Sequence, residues 1–319
     1  MSNLSHNDAK KKTINKLCIY DFLLVGILLP FFSLFYFYIQ PQIIAGGGYG
    51  WDGIDYYHLF LNFLNSNNEF QVPYPVCKRL ALPFLASLTP LSPEKSFLFL
   101  NLLSGFFAAA ISFFAIRLRF NSFLSFISIL PLIFYFFSPL RFSHFHPFYV
   151  DPPVILFFSV SLFFLIKEKY FFAFLALLIC TLFREPSIYF ALSLVITLFF
   201  KREISSKNLL IYLLLIVVFS LFLSLFVHEQ CNGSQIRTFF VFLYKSFSSF
   251  YGVIKIFAAI LMTIGPFVII KNSFIFKEKD SIFFVSLVWF ILALLMAIFG
   301  GGDTTRVFYS AYPLYVLTL

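Results

Sequence analysis

Two aspartates, Asp52 and Asp55, stand in the stretch GGGYGWDGIDYYHLF, residues 46 to 60. A carboxylate in such a position can take the proton of an attacking hydroxyl as its oxygen forms a new bond. Arg79 lies a little further on, within PYPVCKRLALP, residues 73 to 83. Asp151 closes RFSHFHPFYVDPP (residues 141 to 153), Arg184 and Glu185 open REPS, and Asp303 and Arg306 sit in GGGDTTR, residues 300 to 306. Guanidinium groups match phosphate oxygens in bidentate geometry and balance negative charge as a bond to phosphate breaks. Each cluster taken singly has a blander reading. Arg184 and Glu185 can simply separate two helices, Asp151 before Pro152 suits a helix start, and Arg306 suits an interface anchor.

What positions these residues is a set of apolar runs. The chain has 319 residues, 61% hydrophobic, 22% aromatic and only 12% charged, against about 25% charged in soluble domains. That composition excludes a disordered chain, and the runs do not alternate as barrel strands do. The fold expected is all-α, a polytopic helical membrane protein with about 9–11 transmembrane or partial helices in one domain, residues 1–319. Full candidates are Leu17 to Ile39, Ser96 to Ile116, Phe120 to Phe137, Pro152 to Ile166, Tyr170 to Phe183, Ser187 to Phe200, Leu209 to Val227, Phe250 to Ile270 and Ser281 to Phe299. Val307 to Leu319 is a partial span, and Leu80 to Leu91, with Pro83 and Pro90, reads as a helix that only dips into the membrane.

Charge sets the expected orientation. With a basic cytoplasmic tail at residues 1–16, the inner side receives 14 of the 23 basic residues, as the positive-inside rule asks. All five clusters then fall on the outer face, beginning with a first extracytoplasmic loop at residues 40–79. Buried charges at membrane level tend to pair or to line one polar cavity, so five converging sets predict one site. The net charge of +9 reflects these topology signals, because the basic residues are scattered rather than gathered on a face for nucleic acid. Cys18, Cys77, Cys180 and Cys231 show no CxxC spacing, and neither a disulfide framework nor a zinc site is expected. His58, His144 and His146 read as aromatic-rich packing, with HFH taken as loop. Gly300 to Gly302 make no phosphate loop, since no GK[ST] follows.

WDGIDYY after a first apolar helix, then KRLALP, an Asp-Pro helix start and a REPS turn together resemble the polytopic GT-C glycosyltransferases. The similarity is to a bacterial branch with YDGxxYY, RxLxP and RE motifs, in order and spacing over most of the chain. The resemblance implies transfer of a sugar from a polyprenyl-phosphate carrier at the extracytoplasmic face of the cell (inner) membrane, by an acid in the first outer loop. Carried over, that acid is Asp52. The residues themselves favour Asp52 over Asp55, which suits a helix-dipole contact. Arg79, Arg184 and Arg306 are the phosphate candidates, with Asp151, Glu185 and Asp303 as further binding residues. Some members of that family use a divalent ion held by paired acids, and Asp52 with Asp151 could hold one here. The alternative function is a multi-pass transporter or lipid flippase, which would place its charges near the midplane.

Overall fold

The computed structural model describes residues 19–65, 70–134, 138–227 and 231–232, with 284–285, 288–289 and 291–292. Ten α-helices follow one another: α1 Ile19–Ile39, α2 Gly53–Asn65, α3 Ala81–Ser87, α4 Pro93–Arg117, α5 Ser122–Phe134, α6 Pro139–Phe145, α7 Asp151–Ile166, α8 Tyr170–Cys180, α9 Ser187–Phe200 and α10 Ser206–Val227. Among the described residues strand is confined to β1 (Val72–Pro73) and β2 (Cys231–Asn232), which pair in parallel. Three stretches, Pro93–Arg117, Ser122–Phe145 and Ser206–Leu223, are long and apolar enough to cross a membrane. The expected spans at 250–270 and 307–319, the tail at 1–16, Asp303 and Arg306 lie outside the described residues. Within the expected run 281–299 the six described residues are helical.

The core forms where α4 and α7 pack along each other, with α8 behind α7 and α5 and α6 beside α4. Small residues let these helices approach closely. Ala108, Ala109 and Ala115 of α4 are fully buried, and Ser112 donates to Ser159 of α7 at 2.9 Å. α10 is the opposite case. From Leu209 on it is apolar apart from Ser220 and Ser224, yet Leu210, Leu214, Val217, Leu221 and Phe222 are exposed. A continuous apolar surface of that kind needs lipid or a partner against it.

Several boundaries differ from those the apolar runs suggest, each for a local reason. α4 starts early at Pro93, with Ser92 at the cap position and the proline in the first turn, where its missing N–H costs nothing. α8 is shorter than the run ending at Phe183, because turns through Thr181 to Pro186 reverse the chain before α9. HFH is helical at its start rather than loop: Ser138 caps α6 by accepting from the Arg141 N–H at 3.1 Å, and His144 lies in that helix. The expected dipping helix at 80–91 is α3 alone, tied to the α8–α9 turn by the Ala81 N–H donating to the Leu182 carbonyl at 3.1 Å.

The expectation of no disulfide is corrected. Cys77 and Cys231 are bonded across 154 residues, beside the β1–β2 pairing that sets Val72 opposite Cys231. No spacing rule reveals the bond, because it joins loops brought together by tertiary packing alone. Cys180 is buried with a free thiol.

Candidate functional site

The segment between α1 and α2 forms a ledge. Gly46, Gly47, Gly48 and Gly50 all have positive φ, which glycine adopts without a Cβ penalty. At Gly50 the requirement is also steric, since a Cβ would lie 2.5 Å from His146 Nε2. The ledge sits on the α6–α7 connection: the Ile43 N–H donates to the Phe145 carbonyl at 2.7 Å, and Trp51 meets the His146 ring at a centroid distance of 6.0 Å. Asn101 of α4 fixes that connection by donating to the Pro147 and Tyr149 carbonyls.

Asp52 ends the ledge and starts α2. Its carbonyl accepts from the N–H groups of Asp55 at 3.1 Å and Tyr56 at 3.3 Å, so Asp52 occupies the cap position and Asp55 the first turn. Burial raises the Asp55 carboxyl above its ordinary value, and the neighbouring Asp52 charge raises it further, against a smaller opposing effect of His58.

Tyr56 carries the site inward. Its hydroxyl accepts from Arg79 Nη1 at 2.7 Å, while Arg79 Nε and Nη2 hold the two carboxylate oxygens of Glu185 at 3.0 and 3.2 Å. Arg79 is 7% exposed. Burial alone would lower its proton affinity, but Glu185 and Tyr56 outweigh that and the guanidinium stays charged. Burial likewise pushes Glu185 up, and the charge and hydrogen bonds of Arg79 more than reverse it, leaving the carboxyl below its usual range. Tyr74 beside this pair is raised, first by burial and then by the Glu185 charge.

One residue before Glu185, Arg184 donates through Nη1 to Asp151 Oδ1 at the start of α7. Both side chains are buried. Asp151 opens α7 with Pro152 and Pro153 in the first turn, and its carboxylate reaches Arg184 in the α8–α9 turn. Of the eight expected site residues the structure therefore pairs Arg79 with Glu185 and Arg184 with Asp151, the two pairs adjacent through the Arg184–Glu185 link, and Tyr56 connects Arg79 to the helix start that carries Asp52 and Asp55. Both described arginines expected to meet a phosphate are already neutralised by carboxylates. Asp151 is committed to Arg184, which does not fit a shared metal with Asp52, and among the described residues no group of three or more His, Cys, Asp or Glu is placed to hold an ion. The histidines pack on rings, with His58 stacked on Phe70 at 4.5 Å.

A third ion pair involves two residues outside the expected site. Asp21 of α1 accepts from Arg117 Nε at 3.1 Å, and both are buried. It joins the first turn of α1 to the last turn of α4, the helix ends opposite to those bearing the site. An acid inside an apolar run was the available signal.

Two cavities flank the site. One of about 470 Å³ lies along the ledge between Gln42, Tyr49, Tyr57 and Glu94, and the other, about 460 Å³, is walled entirely by apolar side chains that include Leu80, Phe84, Phe157, Phe183 and Phe222. No family model, no curated protein and no solved structure matches this chain.

Proposed function

We propose that this chain is a multi-pass membrane glycosyltransferase of the GT-C type, moving a sugar from a polyprenyl-phosphate-linked donor to an acceptor at the extracytoplasmic face. The observation that carries the reading is the link, through Tyr56, of the Asp52–Asp55 helix start to the Arg79–Glu185 pair, with the Arg184–Asp151 pair one residue along the chain.

Asp52 takes the acceptor proton as the acceptor oxygen attacks the anomeric carbon, with Asp55 close by in the first turn of α2. The donor phosphate leaves with the bonding electrons and is met by a guanidinium. Arg79 serves by exchanging part of its Glu185 contact for phosphate oxygens, a swap between two bidentate anions. The apolar cavity begins at Leu80, next in sequence to Arg79, which suits a headgroup at Arg79 with its polyprenyl chain along α3, α7 and α10. The Cys77–Cys231 bond supports an extracytoplasmic site, because disulfides persist in oxidising compartments. Charges gathered at helix ends favour catalysis at a face over the alternative of transport through the midplane.

The test is sugar transfer from a lipid-linked donor by purified protein. Activity that depends on Asp52 is expected. A correctly folded wild-type protein that transfers no sugar from any polyprenyl-phosphate donor overturns the reading.

A further inference from the structure

The cleft along the ledge differs in kind from the arginine pairs. Tyr49 and Tyr57 have ring centroids 4.8 Å apart, tilted by 34°, and Phe148 lies 5.1 Å from Tyr49. The three rings touch one another, so they form one platform rather than separate walls around a cation. Facing them, Gln42 Nε2 donates to Glu94 Oε1 at 3.3 Å at the exposed mouth. Gly48 adds backbone without a side chain, and about 470 Å³ of space lies between. Among the described residues lining the cleft there is no Lys or Arg, so with Glu94 present the cleft repels a phosphate.

We propose that this cleft is a binding site for a hydroxyl-rich ring, a saccharide or a polyol headgroup, and that it holds the acceptor. The acceptor role rests on the glycosyl-transfer reading. The apolar C–H face of such a ring lies on the aromatic platform, and its hydroxyls donate to the Glu94 carboxylate, a charge-assisted bond, and exchange bonds with the Gln42 amide, which both donates and accepts. The chain itself links binding to chemistry: Tyr49 precedes Asp52 by three residues on the same rigid ledge. An acceptor seated on Tyr49 and Tyr57 is thereby held at the helix start that carries the base.

The test uses the full chain in nanodiscs and two probes of the shared chemistry: methyl hexopyranosides in solution, read by saturation-transfer NMR, and an uncharged monohexosyl diacylglycerol in the bilayer, read by titration. Glu94 and Gln42 are exposed, so Glu94→Gln and Gln42→Ala leave the fold intact, with Lys95→Gln as control. Saturable binding of either probe is expected, weakened roughly tenfold or more by Glu94→Gln and unchanged by Lys95→Gln. Binding of neither probe, or binding indifferent to Glu94, overturns the site. Transfer with an unaltered acceptor KM in Glu94→Gln removes the acceptor role and leaves the transferase reading standing. Glu94-dependent binding in a protein that transfers no sugar does the reverse, supporting the cleft and removing the transferase.

Discussion

Arg79 and Glu185, 106 residues apart in sequence, meet in a two-pronged ion pair whose third guanidinium donor is taken by Tyr56. Three separate elements are locked by it: the start of α2, the segment after β1 and the turn between α8 and α9. Because a buried pair costs desolvation on both sides, its presence also invites a role beyond holding the fold.

The two roles separate in a double-mutant series. Glu185→Gln leaves the buried Arg79 charge poorly compensated and should cost about 3–5 kcal/mol, whereas Arg79→Met with Glu185→Leu removes both charges and should recover most of that. Thermal unfolding in detergent measures this. Transfer should stay low in the double variant, since the donor's guanidinium is gone. Recovery of stability and transfer together would show that the pair only holds the fold.

Acid should reveal the same pair. The Glu185 carboxyl titrates below its unfolded value because Arg79 overcomes the effect of burial. Its stabilisation is therefore present above the ordinary glutamate value of about 4.3 and lost as pH falls through the folded value. Below about pH 4 the unfolding temperature of the wild type should fall more steeply than that of the charge-free double variant. Parallel pH profiles for the two would refute the linkage.

Much of this architecture is legible in the sequence because apolar runs leave a chain few options: α1, α4, α7, α9 and α10 overlap the runs that predict them. α6 was hidden because RFSHFHPF, with two histidines and a proline, lacks an apolar period, while its start depends on a local cap from Ser138. The candidate residues were legible by type. Their partners were not, since whether Arg184 meets Asp151 or a ligand is decided by how the α8–α9 turn docks on α7. The Cys77–Cys231 bond and the Asp21–Arg117 pair depend equally on packing between distant segments.

Asp52 and Asp55 are distinguished by substitution with asparagine. Asp52→Asn preserves the backbone cap yet should reduce transfer by roughly 10²–10⁴-fold, the range typical of a lost general base, and Asp55→Asn should cost much less. Asp52→Asn also removes a charge that raises Asp55, so the Asp55 carboxyl, followed by carbon NMR, should titrate at lower pH in that variant. Equal loss of transfer in both variants would remove the assignment of Asp52 as base.

The α4–α6 contact supports the ledge from below and tolerates no extra atom at Gly105. A Cβ there would lie 2.9 Å from Pro139 Cβ and 3.3 Å from its carbonyl carbon. Gly105→Ala should destabilise by about 1–3 kcal/mol through overpacking, offset by at most ~1 kcal/mol of helix propensity. Gly26→Ala on α1, where a Cβ meets nothing within 4 Å, should be neutral or slightly stabilising. Thermal unfolding of the two single variants decides; a stabilised Gly105→Ala would contradict the close approach of the helices.

The disulfide gives the most direct test of orientation. Cys77, two residues before Arg79, is joined to Cys231, so in the proposed topology the bond, the site and the α1–α2 segment share one side of the membrane. If that side is extracytoplasmic, intact cells treated with a membrane-impermeant maleimide should show no labelling of either cysteine, because both sulfurs are oxidised. Prior treatment with a membrane-impermeant phosphine should expose both to the reagent. Cys77→Ser should then leave Cys231 reactive from outside without any reductant, which separates a bonded pair from two shielded thiols. Labelling that requires permeabilised cells in every case would place the Arg79 face in the cytoplasm and exclude an extracytoplasmic reaction. Free thiols at both positions in protein purified without reductant would refute the bond itself.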